Sequence, residues 1–127
     1  MNLANIVVKP DGPLSVELFA PHFPQTPAGV LWRYDSAQQP EGKAGEFSPG
    51  VPSVSLGSPA SVAGKYFLLE GVVLNQGDNP PTPYQVQVSI LQAGVPVHQE
   101  VPPDGGSGQI GTADVPFVYR FKIGVAP

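Results

Sequence analysis

Clusters of proline and glycine interrupt this chain at short intervals, and the blocks between them alternate apolar with polar residues. Proline removes a backbone donor and fixes φ, while glycine supplies the positive φ that tight turns need. A helix of ordinary length wants ~10 residues of helical apolar spacing built from good formers. No block here offers them. The 15 glycines and 17 prolines, about a quarter of 127 residues, approach the range of disordered chains. Yet 41% of residues are hydrophobic, and a disordered chain has no reason to arrange them with period two. The pattern therefore predicts an all-β chain of seven to nine short antiparallel strands, folded as one β-sandwich domain over 1–127.

The predicted strands follow from the alternation. Asn5 to Lys9 comes first, closed by the turn Pro10-Asp11-Gly12-Pro13. In Leu14 to Ala20, Leu14, Val16 and Leu18 share a face opposite Ser15 and Glu17. Pro21 to Pro27 cannot lie in a central strand, because its prolines remove ladder donors. Val30, Trp32 and Tyr34 then alternate with Leu31 and Arg33. From Ser36 to Pro52 the chain is polar and without pattern, which predicts a long mobile loop apart from brief pairing at Glu46-Phe47-Ser48. Ser53 to Leu56 is a weak strand. Lys65 to Leu74 is apolar on both faces and is expected to be central and covered on both sides. Tyr84, Val86, Val88 and Ile90 share one face, with Gln85, Gln87 and Ser89 on a wet one. Ala93-Gly94 turns into Val95 to Val101 as a hairpin partner. Last comes Val115 to Ile123, with Phe117, Tyr119, Phe121 and Ile123 on the core side.

One segment resembles a known family. Gly71-Val72-Val73-Leu74-Asn75-Gln76-Gly77-Asp78, a proline-rich turn, and Tyr84-Gln85-Val86-Gln87-Val88-Ser89-Ile90 resemble the strand–Asn-x-Gly–strand hairpin of CARDB-type and related immunoglobulin-like adhesion modules. Gly94 and Pro103-Asp104-Gly105 sit where such modules place similar features. The resemblance covers roughly a third of the chain, leaving the part up to Gly64 without a counterpart. It implies an immunoglobulin-like sandwich and an adhesive role.

Charge and composition exclude several functions. Charged residues are 13% of the chain, against about 25% in ordinary domains. The net charge is −4, with six scattered basic residues. Nucleic-acid binding needs a clustered basic footprint, which is missing. No apolar run approaches the ~18 residues of a membrane span, and Met1 to Pro10 has no signal-peptide core. Absent cysteine removes disulfides and thiolate chemistry. That fits a reducing compartment and equally an exported bacterial domain.

Candidate chemistry is thin. His98 shares a strand face with Glu100, so a base with a carboxylate orienter is one reading; an exposed polar pair, outward-facing opposite the Val95 set, is the favoured one. His22, between prolines, reads as a loop residue. Neither Gly-x-Ser-x-Gly nor Ser-x-x-Lys occurs. The run Gly105 to Gly111 suggests a phosphate cradle but lacks the lysine and the helix that such a loop needs, so a flexible hairpin loop is expected. Asp78 and Asn79, with Asp104 or Asp114, are oxygen donors suited to calcium only if their loops converge. Trp32 and Tyr34 are candidate ligand-binding aromatics. Their period-two partnership with Val30 favours a core tryptophan instead. No cofactor is expected. The leading expectation is a non-enzymatic interaction, adhesion-like or structural module with a protein partner or self-association. A small carbohydrate-binding module or lectin is the alternative, and a small enzyme on a β scaffold the third.

Overall fold

The computed structural model describes residues 3–20, 27–36, 39–75, 77 and 80–127. In chain order its elements are β1 (Ala4–Val8), β2 (Leu14–Phe19), β3 (Ala28–Ser36), β4 (Gln39–Phe47), β5 (Ser53–Gly57), α1 (Pro59–Val62), β6 (Tyr66–Val73), β7 (Thr82–Gln85), β8 (Gln87–Gln92), β9 (Val95–Glu100), β10 (Ser107–Ile110) and β11 (Val115–Val125). A five-stranded sheet in the order β1-β11-β6-β3-β4 packs on a four-stranded sheet in the order β5-β2-β8-β9, and β10-β7 forms a short ribbon. This is the expected all-β sandwich, with eleven strands among the described residues where the alternation predicts seven to nine. One pairing is parallel: β1 runs alongside β11 from Ala4↔Phe121 to Val8↔Val125.

The core follows from the period-two pattern. Leu14, Val16 and Leu18 of β2 meet Val88 and Ile90 of β8 on the inner side of one sheet. Phe67 and Leu69 of β6 and Phe117, Tyr119, Phe121 and Ile123 of β11 line the inner side of the other. Phe67 and Phe121, opposite in register, stack with ring centroids 5.0 Å apart, a contact worth about 0.5–1.5 kcal/mol beyond burial. The hairpin at Ala93-Gly94 forms as expected, with both residues at positive φ (52° and 80°), as a two-residue turn requires. The buried Gln92 side chain fastens the turn between β1 and β2. It accepts from Lys9 N at 3.0 Å and donates to the carbonyls of Lys9 and Asp11 at 2.8 and 2.9 Å.

Four expectations are corrected. The segment from Ser36 to Pro52 holds a full strand, β4, paired to β3 through three register shifts. Bulges break the side-chain alternation, so period-two reading misses it. Gly45 lets this strand close on the second sheet, since a methyl there would meet Val54 Cγ1 at 2.4 Å. A single helical turn, α1, does occur; Pro59 pre-sets its first residue and Val62 is fully buried. The stretch from Tyr84 to Ile90 is two strands broken at Val86, whose N–H turns to Gly106 O at 2.7 Å. The fourth correction concerns β6. It is central in its sheet, but only one face is buried: Phe67, Leu69 and Val73 are inside, while Tyr66, Leu68 and Val72 are half-exposed.

Gly71 holds β6 and β11 in close register. It pairs with Phe117, and a methyl on it would come within 2.2 Å of the ring's Cζ and 2.6 Å of Cε1. The Gly71→Ala variant is expected to lose about 1–3 kcal/mol, the range for overfilling a packed core. The urea midpoint at unchanged m-value measures it, and a wild-type midpoint would mean that the ring has room to move.

Candidate functional site

Strand pairing decides which side chains leave the core. Leu31 of β3 is fully buried, so Val30, Trp32 and Tyr34 face outward, and all three are half-exposed. Trp32 is therefore not the core tryptophan that its neighbours suggest; Leu31 takes that place, opposite Leu69. Across the ladder Trp32 is level with Leu68, Tyr34 with Tyr66, and Val30 with Glu70. On β11, Val118, Arg120 and Lys122 continue these rows. On the far side Glu46 pairs with Val30, and Lys43 with Trp32. The result is a contiguous outer face with aromatic and aliphatic side chains at its centre and charges around it.

Two polar groups belong to the residues of this face. Lys122 Nζ lies 5.2 Å from the centroid of the Tyr66 ring, a cation–π contact at an open site. Trp32 Nε1 is shielded from solvent and donates to no acceptor among the described residues. A shielded donor without an acceptor costs about 1–3 kcal/mol. The sequence signal for this face was present in the two apolar sides of Lys65 to Leu74.

His98 and Glu100 are placed differently from expectation. They face inward, level with the buried Ile90 and Val88, and it is Val95 and Val97 that stand exposed, at 61% and 43%. The β8–β9 register shift at Ile90/Leu91 produces this exchange of faces. His98 Nε2 lies 3.2 Å from Glu100 Oε1, and the same oxygen accepts from the Tyr119 hydroxyl at 3.1 Å. The three groups join the edge strand β9 to β11 of the opposite sheet. Burial pushes the Tyr119 phenol well above its ordinary range, and the charge and hydrogen bond of Glu100 add to the rise. Glu100, one of whose carboxylate oxygens meets both a phenol and an imidazole, serves here as an inter-sheet fastener.

The other candidates separate. Asp78, Asn79 and His22 lie outside the described residues. Asp104 is exposed and joined to β11 through its backbone at Val118. Asp114 accepts from Asn75 N at 2.9 Å and Asn75 Nδ2 at 2.6 Å, and the backbone bond first, then the side-chain bond, hold its carboxyl below the usual range. Among the described residues no group of three acids or histidines could hold a metal. The glycine run from 105 to 111 is partly strand β10, paired to β7. A cavity of about 300 Å³ beneath β4 and β5 is lined by Arg33, Ala44, Ser55, Leu56 and Phe67. Arg33 Nη2 donates there to Ser61 O at 2.7 Å. Among the described residues no helix is long and apolar enough to cross a membrane.

No protein-family model matches the chain, and searches of curated proteins and of solved structures find no similar one.

The fastener has a pH consequence. The folded state favours the protonated Tyr119 phenol, whereas the unfolded chain releases that proton above pH 10.0. Stability from this group is intact below that point and falls as pH rises through it. Burial raises Tyr84 as well, so both contribute in the same direction. In Tyr119→Phe, urea midpoints measured from about pH 8 to 11 should fall less steeply with pH than in wild type. Identical slopes would remove Tyr119 from the account.

Proposed function

We propose that this protein is a non-enzymatic interaction module that binds its partner through the outer face of the five-stranded sheet. The observation that carries this is the row of half-exposed apolar side chains on β3, β6 and β11, centred on Trp32 and Leu68. Outward positions of antiparallel sandwich sheets are ordinarily polar. Single exposed apolar residues need no explanation, but a contiguous patch rimmed by polar groups marks an interaction site. The composition also fits, since tryptophan, tyrosine and arginine are the residues enriched at binding hot spots.

A second reading takes the same aromatics as a platform for sugars. Tyr34 and Tyr66 lie side by side with Trp32 one step along the strand, and aromatic faces with a polar tip suit such stacking. Glycan-array binding that Trp32→Ala abolishes would favour it over a protein partner.

The test separates binding from folding. Trp32→Ala and Leu68→Glu should each change unfolding stability by no more than about 1 kcal/mol, as surface substitutions do. The same variants should weaken association, scored by cross-linking to itself and to proteins of its native extract, by about 2 kcal/mol or more. A stability loss above about 2 kcal/mol with association unchanged would make the patch structural and end this reading.

A further inference from the structure

We infer that the partner is a second copy of this chain, docked face to face about a two-fold axis; this rests on the outer face being an interface. The inference comes from how charge is ordered on that face. The row through Val30 carries Glu46 on β4 and Glu70 on β6. The next row, through Trp32, carries Lys43 on β4 and Arg120 on β11. The row after it, through Tyr34 and Tyr66, ends in Lys122. Lys43 and Glu46 are ion-paired with each other within the chain, so the ordering rests on Glu70 at one level and Arg120 and Lys122 at the two levels beyond, with steps of roughly 7 Å along the strands.

A surface ordered this way is complementary to itself. A two-fold axis lying in the interface, parallel to the rows and between those of Val30 and Trp32, exchanges the two levels. Glu46 then faces the other copy's Lys43, and Glu70 lies over its Leu68 with Arg120 one strand away. Val30 packs on the other copy's Trp32, which removes the most costly apolar surface from water. An axis parallel to the strands would instead lay the acidic row on its own copy, and like charges oppose that arrangement. Isologous pairing needs just this self-complementarity. Sheets aligned within about 30° and about 10 Å apart, as in sandwich interiors, accommodate it.

Two-fold symmetry makes each charge count twice, which sets the experiment. Sedimentation equilibrium of the full chain should find a reversible dimer at micromolar concentration. Trp32 emission should shift to the blue as concentration rises, and Leu68→Glu should abolish both changes. Glu70→Arg and Arg120→Glu should each raise the dissociation constant at least about tenfold, and the double variant should recover it to within about threefold. A wild-type chain that stays monomeric at about 100 μM, well above any specific dimer constant of ordinary size, overturns the inference. So does a dimer that neither reversal weakens, or one that the double variant fails to restore. If the monomeric chain still captures another protein through a contact that Leu68→Glu abolishes, the second copy falls and the interface reading stands. If no capture of any kind is found, both fall.

Discussion

The register between β6 and β11 is the constraint on which the rest of the molecule depends. Phe67 stacks on Phe121, Leu69 lies beside Tyr119, and Phe117 covers Gly71. A slip of β11 by one residue would turn Phe117, Tyr119 and Phe121 to solvent and bring Arg120 and Lys122 inside. Burying those two cations without partners would cost several kcal/mol each, so the competing register is closed. Gly71 sharpens the choice, because the ring of Phe117 fits only where no side chain opposes it. The same contacts that define the core therefore define the outer face. What is outside is outside because β6 and β11 admit one alignment.

Much of this was legible in the sequence. The alternation in Leu14 to Leu18, Tyr84 to Ile90 and Phe117 to Ile123 assigned the inward apolar residues of β2, β8 and β11 correctly, but Ser89, read onto a wet face, is buried where Gln99 of β9 donates to its hydroxyl. The Ala93-Gly94 hairpin was readable because turn chemistry is local. Strand β4 was not, because its pairing passes through three bulges and carries Gly42 and Gly45 where an alternating strand would show apolar residues. His98 was assigned to the wrong face for the same physical reason: one shift of register on β9 inverts every later side chain. The inter-sheet bond from Glu100 to Tyr119 joins residues distant in sequence, and nothing in either strand announces it.

The candidate face was half legible. Two apolar sides on Lys65 to Leu74 predict a strand covered twice, and the pattern is the same whether the second cover is the chain's own or another molecule. The error in placing Trp32 has a related origin. Val30, Trp32 and Tyr34 are more apolar as a set than Leu31 and Arg33, so hydrophobicity alone turns them inward. Pairing with β6 decides otherwise, because Leu31 must meet Leu69 in the core. Arg33 can accept an inward position since it lies near the end of the sandwich, where its guanidinium reaches Ser61 O.

How a sandwich of this kind can associate depends on its edges as much as its faces. Edge strands offer unpaired backbone groups, and proteins that do not use them shorten, bulge or interrupt them. The edges of the two larger sheets are β1, β4, β5 and β9. Strands β1 and β5 have five residues each. Strand β4 is bulged repeatedly, and β9 carries Pro96 and its own register shift. None presents a long regular ladder for another strand to extend. The outer side of the five-stranded sheet is regular where the edges are not, with β3, β6 and β11 pairing from Ala28↔Val72 to Tyr34↔Tyr66 and from Val115↔Val73 to Lys122↔Tyr66 without a shift. Irregularity at the rim and order at the centre of the apolar face favour side chains over backbone as the contact surface of the proposed interface. On that proposal the identity and charge of those side chains, more than β-propensity, select the partner.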